Sequence, residues 1–227
     1  LSNLYLKKKL PKVLMFSGEK GVGKSTLVNH FLFSIFDIKN YDMDKNTLKG
    51  SSNFINQFKN NIFENVVYLN GSDFKSVKID EIRKLKAKIF QSTILAKDRF
   101  IILNDIELFN RNSLNALLKI IEEPPKNSYF FLINNRSKPI LETIKSRTLE
   151  IKIILKEKQR LEIIKKLSEI FDLNITLDPQ DSKLSPGNFI KFNYLLNEYK
   201  ILPNNNYIEN LSLLLNLYKK EKNILFI

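Results

Sequence analysis

The chain has 227 residues, of which 37 are lysine or arginine and 24 are aspartate or glutamate, and its formal charge is +13. It contains no cysteine and one histidine, which excludes disulfide bonds and thiolate metal sites. No apolar stretch reaches the roughly 20 residues that span a bilayer, and the N-terminus lacks a signal-peptide layout, so we expect a cytoplasmic protein without a membrane contact. The lysines are scattered, which indicates weak electrostatic attraction to nucleic acid without reading of its sequence.

The first predicted strand, Val13–Phe16, leads directly into a phosphate loop. Residues 18–25 read Gly-Glu-Lys-Gly-Val-Gly-Lys-Ser and fill every fixed position of the motif G-x-x-x-x-G-K-[ST], between a strand pattern and a helix pattern. The glycines let backbone N–H groups surround phosphate oxygens, Lys24 reaches the outer phosphates, and Ser25 is suited to bind Mg²⁺. The phosphate loop therefore predicts binding of ATP or ADP with Mg²⁺ through Gly18, Gly21, Val22, Gly23, Lys24, Ser25 and Thr26.

Strand and helix patterns alternate from the phosphate loop to about residue 155. The later strand patterns are short apolar runs rich in β-branched or aromatic residues, which is typical of buried parallel strands. This alternation predicts a three-layer α/β domain with a parallel five-stranded sheet over residues 1–155. The four further strands are expected at residues 66–69, 100–103, 129–133 and 149–153.

Helical spacing of apolar residues fills the gaps between these strands. One such pattern follows the phosphate loop, and two more follow Asp80 and Asn110, which are the predicted helix caps. Residues 37–64 are polar, asparagine-rich and weakly periodic. For this segment we expect a long connection with at most one short helix.

Beyond Lys156 the sequence contains helix patterns only. Residues 156–203 predict a small helical lid domain, in which Ser185-Pro186-Gly187 marks the turn before the second helix. Residues 206–222 predict a leucine-dense final helix whose broad apolar surface has no partner left in the chain, so we expect residues 204–227 to begin a third, truncated domain. The two predicted lid stripes consist of Leu161, Ile164, Leu167 and Phe171, and of Phe189, Phe192, Leu195 and Leu196.

The segment from Asn115 to Pro125 carries the most specific family resemblance. Asn-Ala-Leu-Leu-Lys followed by Glu-Glu-Pro-Pro closely resembles the clamp-loader branch of the AAA+ ATPases, and residues 143–147 are similar to its Ser-Arg-Cys motif, with Thr148 in place of cysteine. The resemblance covers residues 11–155 and extends more weakly to about residue 200. Members of this family open a ring-shaped sliding clamp and place it on primed DNA, using ATP bound between subunits of a five-subunit arc.

Departures from the family pattern distinguish its motor subunits, gamma or tau, from its delta prime subunit. Asn104 and Asp105 stand where the motor has the metal-binding aspartate and the catalytic glutamate. Asparagine lacks the charge that helps to hold Mg²⁺, and aspartate is one methylene too short, so the resemblance implies crippled hydrolysis with weak metal binding by Ser25 and Asp105. The motor's sensor-2 arginine has no counterpart in residues 185–188. The four-cysteine zinc module that the motor and many delta prime subunits carry is also missing, which does not decide between the subunits; no zinc is expected, and residues 37–64 are the expected replacement of the module.

Two further residues receive roles from the resemblance. The amide of Asn134 takes the sensor-1 position and is expected to meet a phosphate oxygen, and Arg147 is expected to act in trans as an arginine finger toward a neighbouring motor subunit. Two simpler interpretations stay open, in which Arg147 is a solvated arginine at a strand edge and Asp105 and Glu107 are surface acids after a strand.

The resemblance therefore implies a delta prime-like stator of the bacterial DNA polymerase III holoenzyme, able to bind ATP but hydrolysing it poorly. Its expected partners are the gamma/tau and delta subunits, with the sliding clamp contacted indirectly and primed DNA reached through the assembled complex. Two alternatives are an active gamma/tau-type ATPase and a stand-alone P-loop NTPase outside replication.

Overall fold

The structure is a computed structural model that describes residues 1–45, 47–48, 50, 52–91, 98–201 and 207–221. The chain divides into two compact units. The first unit joins residues 1–18 to residues 24–153, and the second joins residues 19–23 to the chain from residue 154 onward. Part of the phosphate loop is thus grouped with the C-terminal helices. Within the described ranges, no helix is long and apolar enough to cross a membrane.

The first unit is built on a parallel sheet. Of the described strands, β4, β5, β6, β1 and β7 form a five-stranded sheet in that order, and each neighbouring pair is parallel. The predicted fold class is confirmed. Because all five strands run in the same direction, their carboxyl ends share one edge, where Ser17 lies in register with Asn134. The strands are β1 (Val13–Ser17), β2 (Tyr41–Asp42), β3 (Thr47–Leu48), β4 (Val66–Asn70), β5 (Arg99–Asn104), β6 (Ser128–Asn134) and β7 (Leu149–Lys152).

Helices cover both faces of this sheet, which explains why its central strands are almost continuously apolar. Successive residues of β1 enter opposite clusters: Met15 packs in a core with residues of α4 and α5, and Phe16 packs in another with residues of α2 and α3. The helices are α1 (Ser2–Leu6), α2 (Lys24–Phe36), α3 (Asn53–Lys59), α4 (Ile79–Phe90), α5 (Arg111–Glu122), α6 (Glu142–Lys145), α7 (Glu157–Ile170), α8 (Pro186–Glu198) and α9 (Tyr207–Glu221).

One of the two predicted helix caps is right. The Asn110 side chain accepts a hydrogen bond from the Ser113 backbone N–H at 2.8 Å and so caps α5. The predicted Asp80 cap is wrong, because Asp80 is the second residue of α4 and Lys78 occupies the cap position without a side-chain hydrogen bond. Asp80 instead pairs with Arg83 at 2.8 Å in the first turn, where a carboxylate complements the helix dipole.

The connection between α2 and β4 contains more structure than its sequence predicts. It holds the one expected short helix, α3, and also an antiparallel hairpin formed by β2 and β3, whose two-residue strands are too short to produce a strand pattern. Aromatic residues order the segment: the Phe54 and Phe63 ring centroids lie 4.7 Å apart, and those of Phe33 and Phe58 lie 5.1 Å apart. These rings attach the connection to α2.

In the second unit, the predicted stripe on α7 is partly wrong. Ile164 is buried, whereas Phe171 lies just past the helix end and is 59% exposed. Arg160 is buried instead, because its guanidinium donates to the main-chain carbonyl oxygens of Leu184 at 3.0 Å and Pro179 at 2.6 Å. Apolar periodicity cannot reveal a buried arginine that is satisfied by distant carbonyl groups.

The predicted stripe on α8 is buried throughout, and α9 forms the predicted final helix, whose predicted ends at 206 and 222 lie outside the described residues. Leu214 of α9 packs in one cluster with α8 residues. Leu213 and Leu215 are 44% and 49% exposed. One face of α9 is therefore covered, and another presents leucines to solvent.

Candidate nucleotide-binding site

The phosphate loop connects the carboxyl end of β1 to the first residue of α2. Gly21 and Gly23 have φ angles of +89° and +96°, a left-handed conformation that glycine adopts without the strain imposed on other residues. The Gly18 N–H donates to the Asn134 carbonyl oxygen at 3.2 Å. This bond fixes the start of the loop beside the end of β6.

Lys24 lies inside the phosphate loop. Its side chain is 3% exposed, and its Nζ donates a hydrogen bond to the Gly18 carbonyl oxygen at 2.9 Å. Ser25 and Thr26 are exposed in the first turn of α2, and a Cβ placed on Gly23 would meet no atom within 4 Å. A buried ammonium, two accessible hydroxyls and a helix N-terminus fit the phosphates of a nucleotide.

Within the second unit, the phosphate loop packs tightly on the N-terminus of α8. The Gly187 N–H donates to the Gly21 carbonyl oxygen at 2.9 Å, and the Ser185 hydroxyl donates to the Lys20 carbonyl oxygen at 2.5 Å. A Cβ on Gly21 would collide with the Ser185 hydroxyl and lie 2.9 Å from the Asn188 backbone nitrogen. The sequence indicated Gly187 only as part of a turn; Ser-Pro-Gly, with its small residues, was the available signal for this contact.

Two buried acids follow β5. Asp105 and Glu107 are each 6% exposed, so their interpretation as surface acids is wrong. Asp105 has a φ angle of +51° and accepts a hydrogen bond from the Asn135 side-chain amide. Glu107 accepts from the Asn135 backbone N–H, at 3.2 Å to each oxygen, and from the Ser137 hydroxyl at 3.0 Å. The acids thereby hold the chain that leaves β6.

Asn134 lies at the end of β6, as predicted, and is buried. Its side-chain oxygen accepts a hydrogen bond from the Arg136 backbone N–H at 2.8 Å. The Arg136 guanidinium donates to the Ser17 hydroxyl at 3.2 Å and pairs with Glu150 of β7 at 3.7 Å. Sequence reasoning missed Ser17, Arg136 and Glu150, because only the sheet order brings the ends of β1, β6 and β7 together.

Arg147 lies between α6 and β7, outside this group of residues. Its Nε donates to the Glu122 carboxylate in an ion pair, and its side chain is 37% exposed. Its Nη1 donates to the Thr143 carbonyl oxygen at 3.0 Å. Arg147 is therefore an anchored, partly exposed arginine two residues before β7, and its interpretation as a solvated arginine at a strand edge stays open beside the finger role.

The residues suited to Mg²⁺ fit a site completed by phosphate oxygens. In the described part of the chain, no three His, Asp or Glu side chains are grouped so that they could hold a metal. Mg²⁺ in phosphate sites commonly uses one or two protein oxygens together with phosphate and water. The Ser25 hydroxyl and the Asp105 carboxylate are of the required chemical type.

A phosphate loop after β1 of a parallel sheet, with polar side chains at the ends of the adjacent strands, defines a P-loop domain. The family model described as DNA polymerase III, delta subunit, matches residues 1–157. The chain belongs to this family.

Individual relatives agree with the family. The delta' subunit of DNA polymerase III from Buchnera aphidicola subsp. Schizaphis graminum is 35% identical over 117 residues, which cover 50% of this chain and 36% of the relative. The gamma subunit from the same organism is 26% identical over 169 residues, 73% of this chain and 44% of the relative. The chain thus spans less than half the length of these relatives. The predicted resemblance to clamp-loader subunits of the delta prime type is confirmed.

Among solved structures, the Thermotoga maritima RuvB Holliday junction branch migration motor matches with a TM-score of 0.53 at 16% identity. The match covers 94% of this chain and 65% of that chain. At this identity the likeness shows the fold alone.

Proposed function

We propose that this chain is a delta prime-type stator of the DNA polymerase III clamp loader, which helps to place the sliding clamp on primed DNA. The observation that carries this proposal is the combination of a complete phosphate loop after β1 with Asn104 at the end of β5 and Asp105 directly after it. The family match supports the assignment. The proposed partners are gamma/tau-type and delta subunits, with the clamp and DNA reached through the assembled complex in the cytoplasm.

In this proposal the chain binds ATP or ADP with Mg²⁺. The bound nucleotide supplies a phosphate chain whose charge the loop N–H groups and Lys24 neutralise. The Ser25 hydroxyl and, more weakly, the Asp105 carboxylate bind the metal, and the Asn134 amide faces the outer phosphate. The Lys24 ammonium donates to the Gly18 carbonyl oxygen at 2.9 Å. When a nucleotide binds, the ammonium exchanges this neutral acceptor for a negatively charged phosphate oxygen.

Hydrolysis is proposed to be slow because the two described acids that follow β5 are already engaged by other residues and are not free to position water. Asn104 lacks a charge, and the Asp105 carboxylate already accepts the Asn135 amide. Both Glu107 oxygens are engaged by the Asn135 N–H. The chain is thus a structural part of the DNA-directed DNA polymerase holoenzyme rather than an efficient ATPase.

Titration calorimetry and steady-state hydrolysis test this part of the proposal. The wild-type chain should bind ATP with Mg²⁺, and Lys24→Ala should remove binding, whereas Lys9→Ala, an exposed lysine outside the phosphate loop, should not. Turnover of the isolated chain at about 1 s⁻¹ or faster, an ordinary enzymatic rate, contradicts the stator role.

Arg147 is proposed to enter the ATP site of the adjacent motor subunit and to stabilise charge on the γ-phosphate there. Arginine fingers contribute on the order of 10³ or more in rate at one site, but a complex with several sites should lose only several-fold in total turnover. Reconstitution with Arg147→Ala should preserve assembly while DNA-stimulated ATPase activity falls. Arg147→Lys should also be impaired, because lysine lacks the planar fork that meets two phosphate oxygens; unchanged activity in both variants refutes the role.

We further propose that residues 1–155 form the nucleotide-binding domain, residues 156–203 the lid, and the chain from residue 204 the start of a helical collar that joins subunits. The exposed leucines of α9 support the collar. The gamma match over 73% of the chain makes an active gamma/tau-type ATPase the second candidate. A motor hydrolyses ATP when it is assembled with copies of itself, and a stator does not.

A further inference from the structure

The Arg147 guanidinium is held on two sides and unoccupied on a third. Glu122, the last residue of α5, accepts from its Nε, while Nη1 donates to the Thr143 carbonyl oxygen at 3.0 Å and the Ser146 hydroxyl at 3.3 Å. The Nη2 nitrogen makes no hydrogen bond with any residue that the structure describes. Two N–H groups in a fixed orientation thus remain available to an acceptor outside the described chain.

The Glu122–Arg147 pair is unlike most of the exposed ion pairs of this protein. Pairs such as Asp80–Arg83 join residues three apart on one helix, which meet whenever that helix forms. Glu122 and Arg147 are 25 residues apart, so their pairing requires the end of α5 and the turn between α6 and β7 to lie against each other. With 43% and 37% of the two side chains exposed, the pair contributes little to the free energy of folding.

The position of Glu122 is also unfavourable for a carboxylate that has no further role. It ends a helix, where the partial negative charge of the helix dipole disfavours an anion. Pro124 and Pro125 follow after Glu123, and their fixed φ angles stiffen the chain that leaves the helix. The carboxylate at this helix end is nevertheless paired with the guanidinium.

We propose that Glu122 is a positioning residue for Arg147: it fixes the guanidinium so that Nη2 faces a phosphate group of a nucleotide held by a neighbouring subunit. This inference rests on the proposed finger role of Arg147. An arginine that is already held in one orientation loses less side-chain freedom when it meets the phosphate, an advantage of about three- to tenfold. Glu122 itself does not touch the nucleotide.

The test uses the clamp-loader complex reconstituted with gamma-type and delta subunits of the same organism. Glu122→Ala should slow ATP turnover about three- to tenfold at the one site that Arg147 serves. The maximal DNA-stimulated turnover of the whole complex should therefore fall, but by no more than with Arg147→Ala, with unchanged KM for ATP, unchanged assembly and unchanged thermal unfolding of the chain. Glu122→Gln, which keeps an acceptor oxygen, should recover part of the loss. Glu123→Ala is the matched control, because it removes the same charge one residue further on, and Glu123 pairs with no described residue.

The Arg147→Ala variant separates the two proposals. In an Arg147→Ala background, Glu122→Ala should have no further effect, because Glu122 acts only through Arg147. If Arg147→Ala alone leaves turnover unchanged, the finger role and the positioning role both fail. If Arg147→Ala lowers turnover while Glu122→Ala behaves like Glu123→Ala, the finger role stands and the positioning role is overturned. A rise in turnover with Glu122→Ala also overturns it, because Glu122 would then be withholding Arg147.

Discussion

Replacing Gly21 by alanine should destabilise the protein considerably more than the same replacement at Gly23. Both residues have left-handed backbone conformations, with φ angles of +89° and +96°, so each alanine incurs a backbone strain of about 1–2 kcal/mol. At Gly23 the added methyl group enters open space, since no atom lies within 4 Å. Strain is therefore the whole cost at Gly23.

At Gly21 the methyl group has nowhere to go. It would collide with the Ser185 hydroxyl and lie 2.9 Å from the Asn188 backbone nitrogen, and a main-chain atom cannot move without shifting α8. Overpacking of this kind costs about 1–3 kcal/mol beyond the strain. Gly21→Ala should thus lower the free energy of unfolding by about 2–5 kcal/mol, against about 1–2 kcal/mol for Gly23→Ala.

Urea unfolding, followed by far-ultraviolet circular dichroism because the chain has no tryptophan, measures this difference. The two variants should differ in midpoint with similar dependence of the free energy on urea concentration. Gly21→Ala combined with Ser185→Ala should regain part of the loss, because one of the colliding groups is gone. Equal destabilisation by Gly21→Ala and Gly23→Ala would refute the close packing of the phosphate loop on α8.

Three further predictions concern other parts of the molecule. Arg99→Met should lower the free energy of unfolding by about 2–4 kcal/mol, because the buried guanidinium donates to three main-chain carbonyl oxygens at the end of α4. The control Arg83→Met removes an exposed ion pair and should change the free energy of unfolding by less than about 1 kcal/mol in the same urea experiment. Burial lowers the pKa of His30, the one histidine of the chain, below its ordinary value. The unfolded state therefore binds a proton at His30 more readily than the folded state. The contribution of neutral His30 to stability should be complete above about pH 6.5 and lost as the pH falls below that value. Nuclear magnetic resonance titration of His30 measures its pKa in the folded protein, and an elevated pKa would contradict the argument. The double variant Leu213→Lys, Leu215→Lys should bind less of an apolar-surface dye without loss of stability, because both leucines are about half-exposed. If the wild-type chain is monodisperse and binds no dye at high concentration, the proposed collar loses its support.

The sheet and the phosphate loop could be predicted because each has a local signature. Buried parallel strands are short apolar runs, and a phosphate loop has fixed positions for glycine and lysine. The caps were predicted less well, since Asp80 and Asn110 are both good capping types and only Asn110 occupies the cap position. A cap position and a first-turn position lie only one or two residues apart in sequence, so the residue type alone does not tell them apart.

The rest of the candidate site depends on contacts between distant parts of the chain. Arg136 reaches Ser17 across 119 residues, and Ser185 reaches the phosphate loop across 165 residues. Neither contact leaves a periodic pattern, because each involves a single polar side chain at the end of an element. Buried polar groups such as Arg160 are missed for the same reason: their burial depends on partners and not on hydrophobicity.

The aromatic attachment of the connection between α2 and β4 has a thermal consequence. Rings such as Phe36 and Phe63, with centroids 4.9 Å apart, hold that segment by apolar contact, and a chain without cysteine cannot reinforce it with thiolate-bound zinc. Apolar attachment weakens on cooling, because the hydration of apolar surface has a large heat capacity. The central strands are also paired through their backbones with neighbours on both sides, so the hairpin and α3 should loosen in the cold before the central sheet does. Amide hydrogen exchange in this segment should not change when a chelator is added, because no thiolate-bound zinc holds it.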